Sequence, residues 1–267
     1  MNFARSFVAT LRTDLIVIAQ YRANVAIWSI ASVLQVVVYL SVWRAVAEAG
    51  GAASTGYTAS EFAGYFLVLL IVREATYGWM PYLLADHVRD GKLSLYLMRP
   101  FHPLGAFAAT MVAHRVQSVL MLVPVAVLLG FVFDASLDPQ WWTIALSVLV
   151  VLPMAALLRM LVDSLFALSS MWLTRIDGLR NMYYLVLLLL GGQFAPVDVL
   201  PGPVHDLALA LPFYWTLGFP TELLAGRATP QEAAIGIGVL AAWSLATYVV
   251  LQPAWRRSTR AYEAVGS

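Results

Sequence analysis

The chain has 267 residues, of which 61% are hydrophobic and only 12% charged, with a mean hydropathy of +0.78. Soluble domains run near a quarter charged, so this composition excludes an ordinary water-soluble globule and points to a chain whose solvent is mostly lipid. A net charge of +1 gives no electrostatic case for nucleic-acid binding, and the absence of cysteine excludes disulfides, thiolate metal sites and a catalytic thiol.

Residues 1–20 read as an interfacial helix. Phe3, Phe7, Leu11, Leu15 and Ile18 fall on one helical stripe with Arg5 and Arg12 opposite, although Asp14 interrupts the stripe. The first fifteen residues lack the apolar core and cleavage site of a signal peptide, so insertion is expected through the first span. That span covers 21–43, with Arg44 able to snorkel at its end. A second span, 60–84, carries Arg73 and Glu74 near mid-depth. A third, 106–133, holds His114 and Arg115 in its first half, placed near the cytoplasmic end. Trp141 and Trp142 mark an interface belt at the start of the fourth span, 141–173, where Pro153 is a kink candidate. Arg159 and Asp163 stand at i, i+4 in that span. A fifth, 176–195, is short for a crossing. Residues 196–220 contain Pro196, Pro201, Pro203, Pro212 and Pro220, yet stay too apolar for a solvated loop. They read as one or two half-inserted, re-entrant helices packed against protein. A sixth span, 233–251, precedes Arg256, Arg257 and Arg260.

The longest polar interruption is 86–105, DHVRDGKLSLYLMRPFHPLG. Leu93, Tyr96 and Leu97 recur at i, i+3, i+4, so a short amphipathic helix is expected there. Gly91 breaks the helix before it, and Pro100 and Pro103 bar continuation beyond it. The apolar face would be presented to something soluble, with Tyr96 as anchor and Arg89, Asp90, Lys92 and Arg99 as a charged rim; an ordinary loop between spans is the other reading. The arginines of the N-terminus, of 86–105, of 174–181 and of the C-terminus outnumber the two on the opposite side, Arg44 and Arg227. The positive-inside rule then places both termini and 86–105 in the cytoplasm.

Catalytic motifs are missing. There is no G-x-x-x-x-G-K-[ST] phosphate loop, no H-E-x-x-H and no G-x-S-x-G, and His87, His102, His114 and His205 lack metal-ligand spacing. Such a chain moves something or holds something. An unpaired arginine at mid-bilayer costs roughly 3 kcal/mol on insertion scales, so each buried charge needs a partner or a wet cavity. Arg73, Glu74, Arg159 and Asp163 either line a transport route, or Arg159 and Asp163 are an intrahelical pair while Arg73 or Glu74 bonds to a neighbouring helix or lies near a span end. An ion-coupled carrier or channel using Glu74 and Asp163, and a non-transporting membrane anchor, both stay open at this stage.

The layout resembles the membrane (permease) subunit of type-2 ABC exporters, particularly the viologen and multidrug exporter branch. The resemblance covers nearly the whole chain: an amphipathic N-terminal helix, six spans, and a proline-rich apolar element before the last span. Its most specific motif is R-D-G-K-L-S-L-Y-L-M-R-P, Arg89–Pro100, similar to the family's Gly-x-Leu…Leu-x-x-Pro coupling segment. Ser94 stands where an acidic residue often follows the family's Gly-x-Leu. The resemblance implies an all-α, six-span single membrane domain over 1–267 that is not itself an enzyme. It implies ATPase-coupling residues at Arg89, Asp90, Lys92, Leu93, Tyr96, Leu97 and Arg99. It further implies a separate cytoplasmic ABC ATPase subunit holding ATP and Mg²⁺, a second permease of the same or a similar chain, and a place in the bacterial inner membrane.

Overall fold

The computed structural model describes residues 3–20, 22–173 and 177–262, and among them every regular element is helical. Among the described residues, four helices are long and apolar enough to cross a membrane. The N-terminal helix α1 (Phe3–Gln20) packs along the start of α6. This contact explains Asp14, whose Oδ2 accepts a 2.6 Å bond from the Thr110 hydroxyl. Helix α2 (Arg22–Val46) runs on through a π-helical turn, Ala47–Gly51, and a last turn, Ala52–Thr55. The chain kinks at Gly50, whose φ is +98°, and then makes one further turn that Gly56 caps with φ +69°.

Helix α3 (Ala59–Thr76) opens on a capping box in which Thr58 and Glu61 exchange bonds, and nearly every residue from Phe62 to Leu70 is buried. The stretch expected to be the second span, 60–84, is not one continuous helix. The chain leaves the helix at Tyr77 and resumes in α4 (Met80–Arg89), because Pro81 is tolerated only in a first helical turn. A short α5 (Leu93–Leu97) follows, and then α6 (Pro103–Val132). Pro103, expected only to stop the preceding helix, also starts the next one. Helix α7 (Trp141–Met171) contains a π-helical turn at Ser147–Val151, just ahead of Pro153. Pro153 has no N–H to close the ordinary bond to residue 149, so the expected disturbance is real and lies one turn earlier.

Helix α8 (Asp177–Leu190) is 14 residues long, about 21 Å at 1.5 Å per residue, short of the ~30 Å apolar core of a bilayer. It ends at Gly191 and Gly192, the latter at φ +80°. The proline-rich element becomes a 3₁₀ turn, Val197–Val199, and three short helices, α9 (Gly202–Ala210), α10 (Pro212–Thr216) and α11 (Gly218–Leu224). It therefore extends four residues past the expected end at 220. Helix α12 (Pro230–Ala261) opens on a second capping box, Thr229 with Glu232, and continues through Arg256, Arg257 and Arg260.

The loops gather at two ends. At one, Trp43 Nε1 donates to the Phe194 carbonyl, Ser136 N to the Ser60 carbonyl, and Arg227 Nη1 meets Glu61 Oε1 at 2.9 Å. At the other, Leu84, Leu93, Leu104, Leu168 and Leu251 share one core cluster, and Trp255 lies 4.9 Å from His102. Arg89, Lys92, Arg99 and the three arginines of α12 belong to this second end.

Candidate functional site

The break between α3 and α4 is the centre of the site. Ending α3 at Thr76 leaves the Thr76 and Tyr77 carbonyls without helical partners, and Arg115 of α6 takes both. Its Nε donates to Tyr77 O at 2.7 Å and its Nη2 to Thr76 O at 3.1 Å. Arg115 is 8% exposed and lies twelve residues into α6, about 18 Å along the helix. It is thus packed among the helices rather than at the start of α6. Trp79 closes the break from the other side: its carbonyl accepts from Tyr82 N and Leu83 N, and its ring packs edge-on against His114 at 4.5 Å.

Gly78 sits where α7 comes closest. A Cβ there would stand 2.7 Å from Asp163 Oδ2 and 3.6 Å from Arg115 Nη2. Asp163 is fully buried and Arg159 is 2% exposed, and they form the expected pair, Arg159 Nε to Asp163 Oδ1 at 3.2 Å. The Tyr183 hydroxyl of α8 donates to the same Oδ1, and the Arg159 guanidinium lies 5.7 Å from the Tyr183 ring. Asp163 Oδ2, Arg159 Nη1 and the Tyr184 hydroxyl are buried with no hydrogen-bond partner among the described residues. Buried polar atoms are seldom left so, which marks the spot as functional or strained.

Arg73 and Glu74 do not join this cluster. Arg73 Nη1 donates to Gln35 Oε1 at 2.8 Å and its Nη2 to Ser32 O at 3.3 Å, while the Ser32 hydroxyl donates to Glu74 Oε1 at 2.9 Å. Their own ion pair is 3.8 Å long. The four charges read as one possible route are thus two separate groups, one against α2 and one at the break. Arg115, left out of that set, belongs to the second.

The predicted coupling residues share a single turn-rich unit. Asp86 Oδ1 pairs with Arg89 Nη2 at 2.9 Å, and Asp90 bridges Arg89 Nε at 3.6 Å and Lys92 Nζ at 2.9 Å. The Lys92 hydrogen bond and charge, with Arg89 adding to them, hold the Asp90 carboxyl below its usual range. Gly91, at φ +69°, ends α4. Ser94 caps inward, its hydroxyl donating to Gly91 O at 2.7 Å. The apolar face expected to look outward instead divides. Leu93 is fully buried, and Tyr96 packs at 5.1 Å against both His87 and Phe107, with the Arg99 guanidinium 5.0 Å from its ring. The outward apolar surface is Leu95, Leu97 and Met98, exposed by 53%, 39% and 75%. Of the three residues at i, i+3, i+4, Leu93 and Tyr96 pack onto this chain's own core and Leu97 stays outside.

A cavity of about 1230 Å³ lies between α6, α7 and α12, with Phe7 of α1 at its edge. Its walls are mostly aliphatic, including Leu104, Val119, Leu152 and Leu161, with His102, Ser244, Tyr248, Gln252 and Arg115 as polar members. At the opposite end of the molecule, the Tyr214 hydroxyl donates to Glu222 Oε2 at 2.5 Å, and Tyr65 OH to Gly192 O at 2.9 Å. The first bond ties two helices of the proline-rich element to each other, and the second holds the turn after α8 against α3.

Long apolar helices, a transport-sized apolar cavity and a break held by buried charges define a multi-pass membrane transport component. Residues 32–266 match the family described as ABC-2 family transporter protein, and the chain belongs to that family. No curated protein matches the chain. Membership makes the chain a permease of an ABC transporter, a kind of subunit that generally associates with an ATPase, and it favours that reading over an ion-coupled carrier or an anchor.

Proposed function

We propose that the chain is the membrane half of an ATP-driven exporter of drug-like, lipid-like or other amphiphilic substrates, as in the viologen and multidrug branch. It crosses a bacterial inner membrane six times with both termini in the cytoplasm. Helices α3 and α4 together make the second crossing, and α8 with the turns after it makes the fifth. A second permease, the same or similar, completes the pore. ATP and Mg²⁺ reside in a separate cytoplasmic ATPase that docks on residues 86–105.

The observation carrying this reading is the mechanical continuity between α5 and the break. Leu93 of α5 shares one buried cluster with Met80 and Leu84 of α4, and α4 runs directly into Trp79. A push on the outward face of α5 therefore moves α4 as a rod, and Tyr77–Trp79 is where the second crossing yields. Arg115 and the Asp163 group meet that hinge, so closure of the ATPases reaches the buried charges and the apolar cavity beside them. Substrate drawn from the cytoplasm or inner leaflet then leaves on the other side.

The test is purification of the full chain from native membranes, followed by assay of ATP hydrolysis and of ATP-dependent uptake into inverted vesicles. An ATPase subunit should copurify, and uptake should require ATP. Purification of an intact, inserted chain with no ATPase and no ATP-dependent uptake would contradict the proposal.

A further inference from the structure

The charges around the break do not cancel. Arg115 and Arg159 contribute two positive charges and Asp163 one negative, leaving one positive charge over. Asp163 spends its bonded oxygen on Arg159 and Tyr183, whereas the bonds of Arg115 go to two neutral carbonyls. No carboxylate of the described residues lies within ion-pair distance of Arg115, whose neighbours His114 and Trp79 are occupied with each other and with Ser118. Asp163 faces Arg115 across Gly78 but is already bonded to Arg159, so one carboxylate serves two buried guanidinium groups and the cluster keeps a net positive charge.

Arg115 also lines the large cavity, and among the described lining residues it is the only charged one; no carboxylate faces that space. The remaining wall is mostly aliphatic, with Ser244, Tyr248 and Gln252 of α12 and His102 as its neutral polar groups, and its residues Leu120, Leu157 and Leu245 are exposed by 71%, 48% and 65%, so the cavity opens sideways. Its volume exceeds the roughly 300–1,000 Å³ usual for drug-sized ligands. One end reaches Phe7, His102 and Gly105, near the arginine-rich end of the molecule. An apolar trough open to the flank, with a single uncompensated cation in its depth, complements one kind of molecule.

We propose that this cavity binds an anionic lipid from the leaflet at the arginine-rich end, its acyl chain along α6, α7 and α12 and its acidic head toward Arg115. The proposal deepens the export reading, because it names the class of amphiphile that the permease would take. The head supplies the missing negative charge, and the wall takes the chain. The contact also couples ligand to mechanism, since Arg115 is the residue that holds the break.

The experiment uses the full purified chain in uncharged detergent, without any ATPase, and displacement of a fluorescent acyl-chain probe. Competitors share one chain and differ only in head: dodecyl phosphate, dodecanoate, dodecanol and dodecylamine, with inorganic phosphate as the chainless control. A charge-assisted bond strengthens binding enough that the two anions should compete at least about tenfold better than the alcohol or the amine. Inorganic phosphate should not compete. Arg115→Gln should abolish the tenfold preference while the aliphatic contribution persists, Arg115→Lys should keep it, and Ala156→Trp, which fills the cavity, should block all four. If Arg115→Gln does not fold, the Arg115→Lys and Ala156→Trp results decide. Equal competition by anions, alcohol and amine overturns the proposal, as does a preference for anions that survives Ala156→Trp. Because no ATPase takes part, failure of the export reading would leave this result standing, and the reverse holds too.

Discussion

Asp163 is the acceptor on which two other buried groups depend, Arg159 and the Tyr183 hydroxyl. Removing one partner of a buried ion pair leaves an uncompensated charge, whereas replacing both by apolar groups removes the problem along with the bond. Asp163→Ala should therefore lower the unfolding stability of the detergent-solubilised chain by about 3–5 kcal/mol. The double change Arg159→Met with Asp163→Leu should cost less than either single one, measured as a thermodynamic cycle. Additive losses would mean that the two do not depend on each other. The i, i+4 spacing of this pair was legible in the sequence, because helical geometry alone brings such residues together. Arg115 was not. Its partners are backbone carbonyls, exposed only because the second crossing breaks, and no side-chain pattern records them. The local signal was Gly78 followed by Pro81, and it was available inside a stretch read as one span.

Elements were legible where their ends carry their own chemistry. Thr58 with Glu61 and Thr229 with Glu232 are T-x-x-E signatures, and both start helices through capping boxes. What the pattern could not decide was the partner of an apolar face. Leu93 and Tyr96 fit a surface waiting for another subunit, but they pack against His87, Phe107 and Leu84 of the same chain. Leu93→Ala should thus behave as a core substitution, costing about 2–5 kcal/mol of permease stability in thermal or denaturant unfolding. A fully stable Leu93→Ala protein would place that side chain back at a subunit interface. Tyr96 now reads as the strut that fixes α5 on α6, and the docking surface passes to its exposed neighbours.

At the scale of the whole molecule, the proposed orientation rests on the arginine bias, and the loops cluster at two ends. Single cysteines at Ser54, Ser136 and Asp206 should react with an impermeant thiol reagent added outside intact cells, and cysteines at Leu95 and Arg257 should not. All five positions are solvent-exposed, so a missing signal reports sidedness rather than burial. Labelling of Leu95→Cys from outside would invert the orientation and remove the coupling role with it. The central claim is that an ATPase drives the broken second crossing through the outward face of α5. Met98→Asp and Leu95→Asp place charge on that face without touching the buried cluster beneath, so insertion and thermal stability should match the wild type. Copurification of the ATPase with these variants is the most direct measurement. The account predicts that the ATPase is lost from the purified complex, by a weakening of at least about 2 kcal/mol if these are interface hot spots. An ATPase that copurifies undiminished with the Leu95→Asp, Met98→Asp double variant would contradict it.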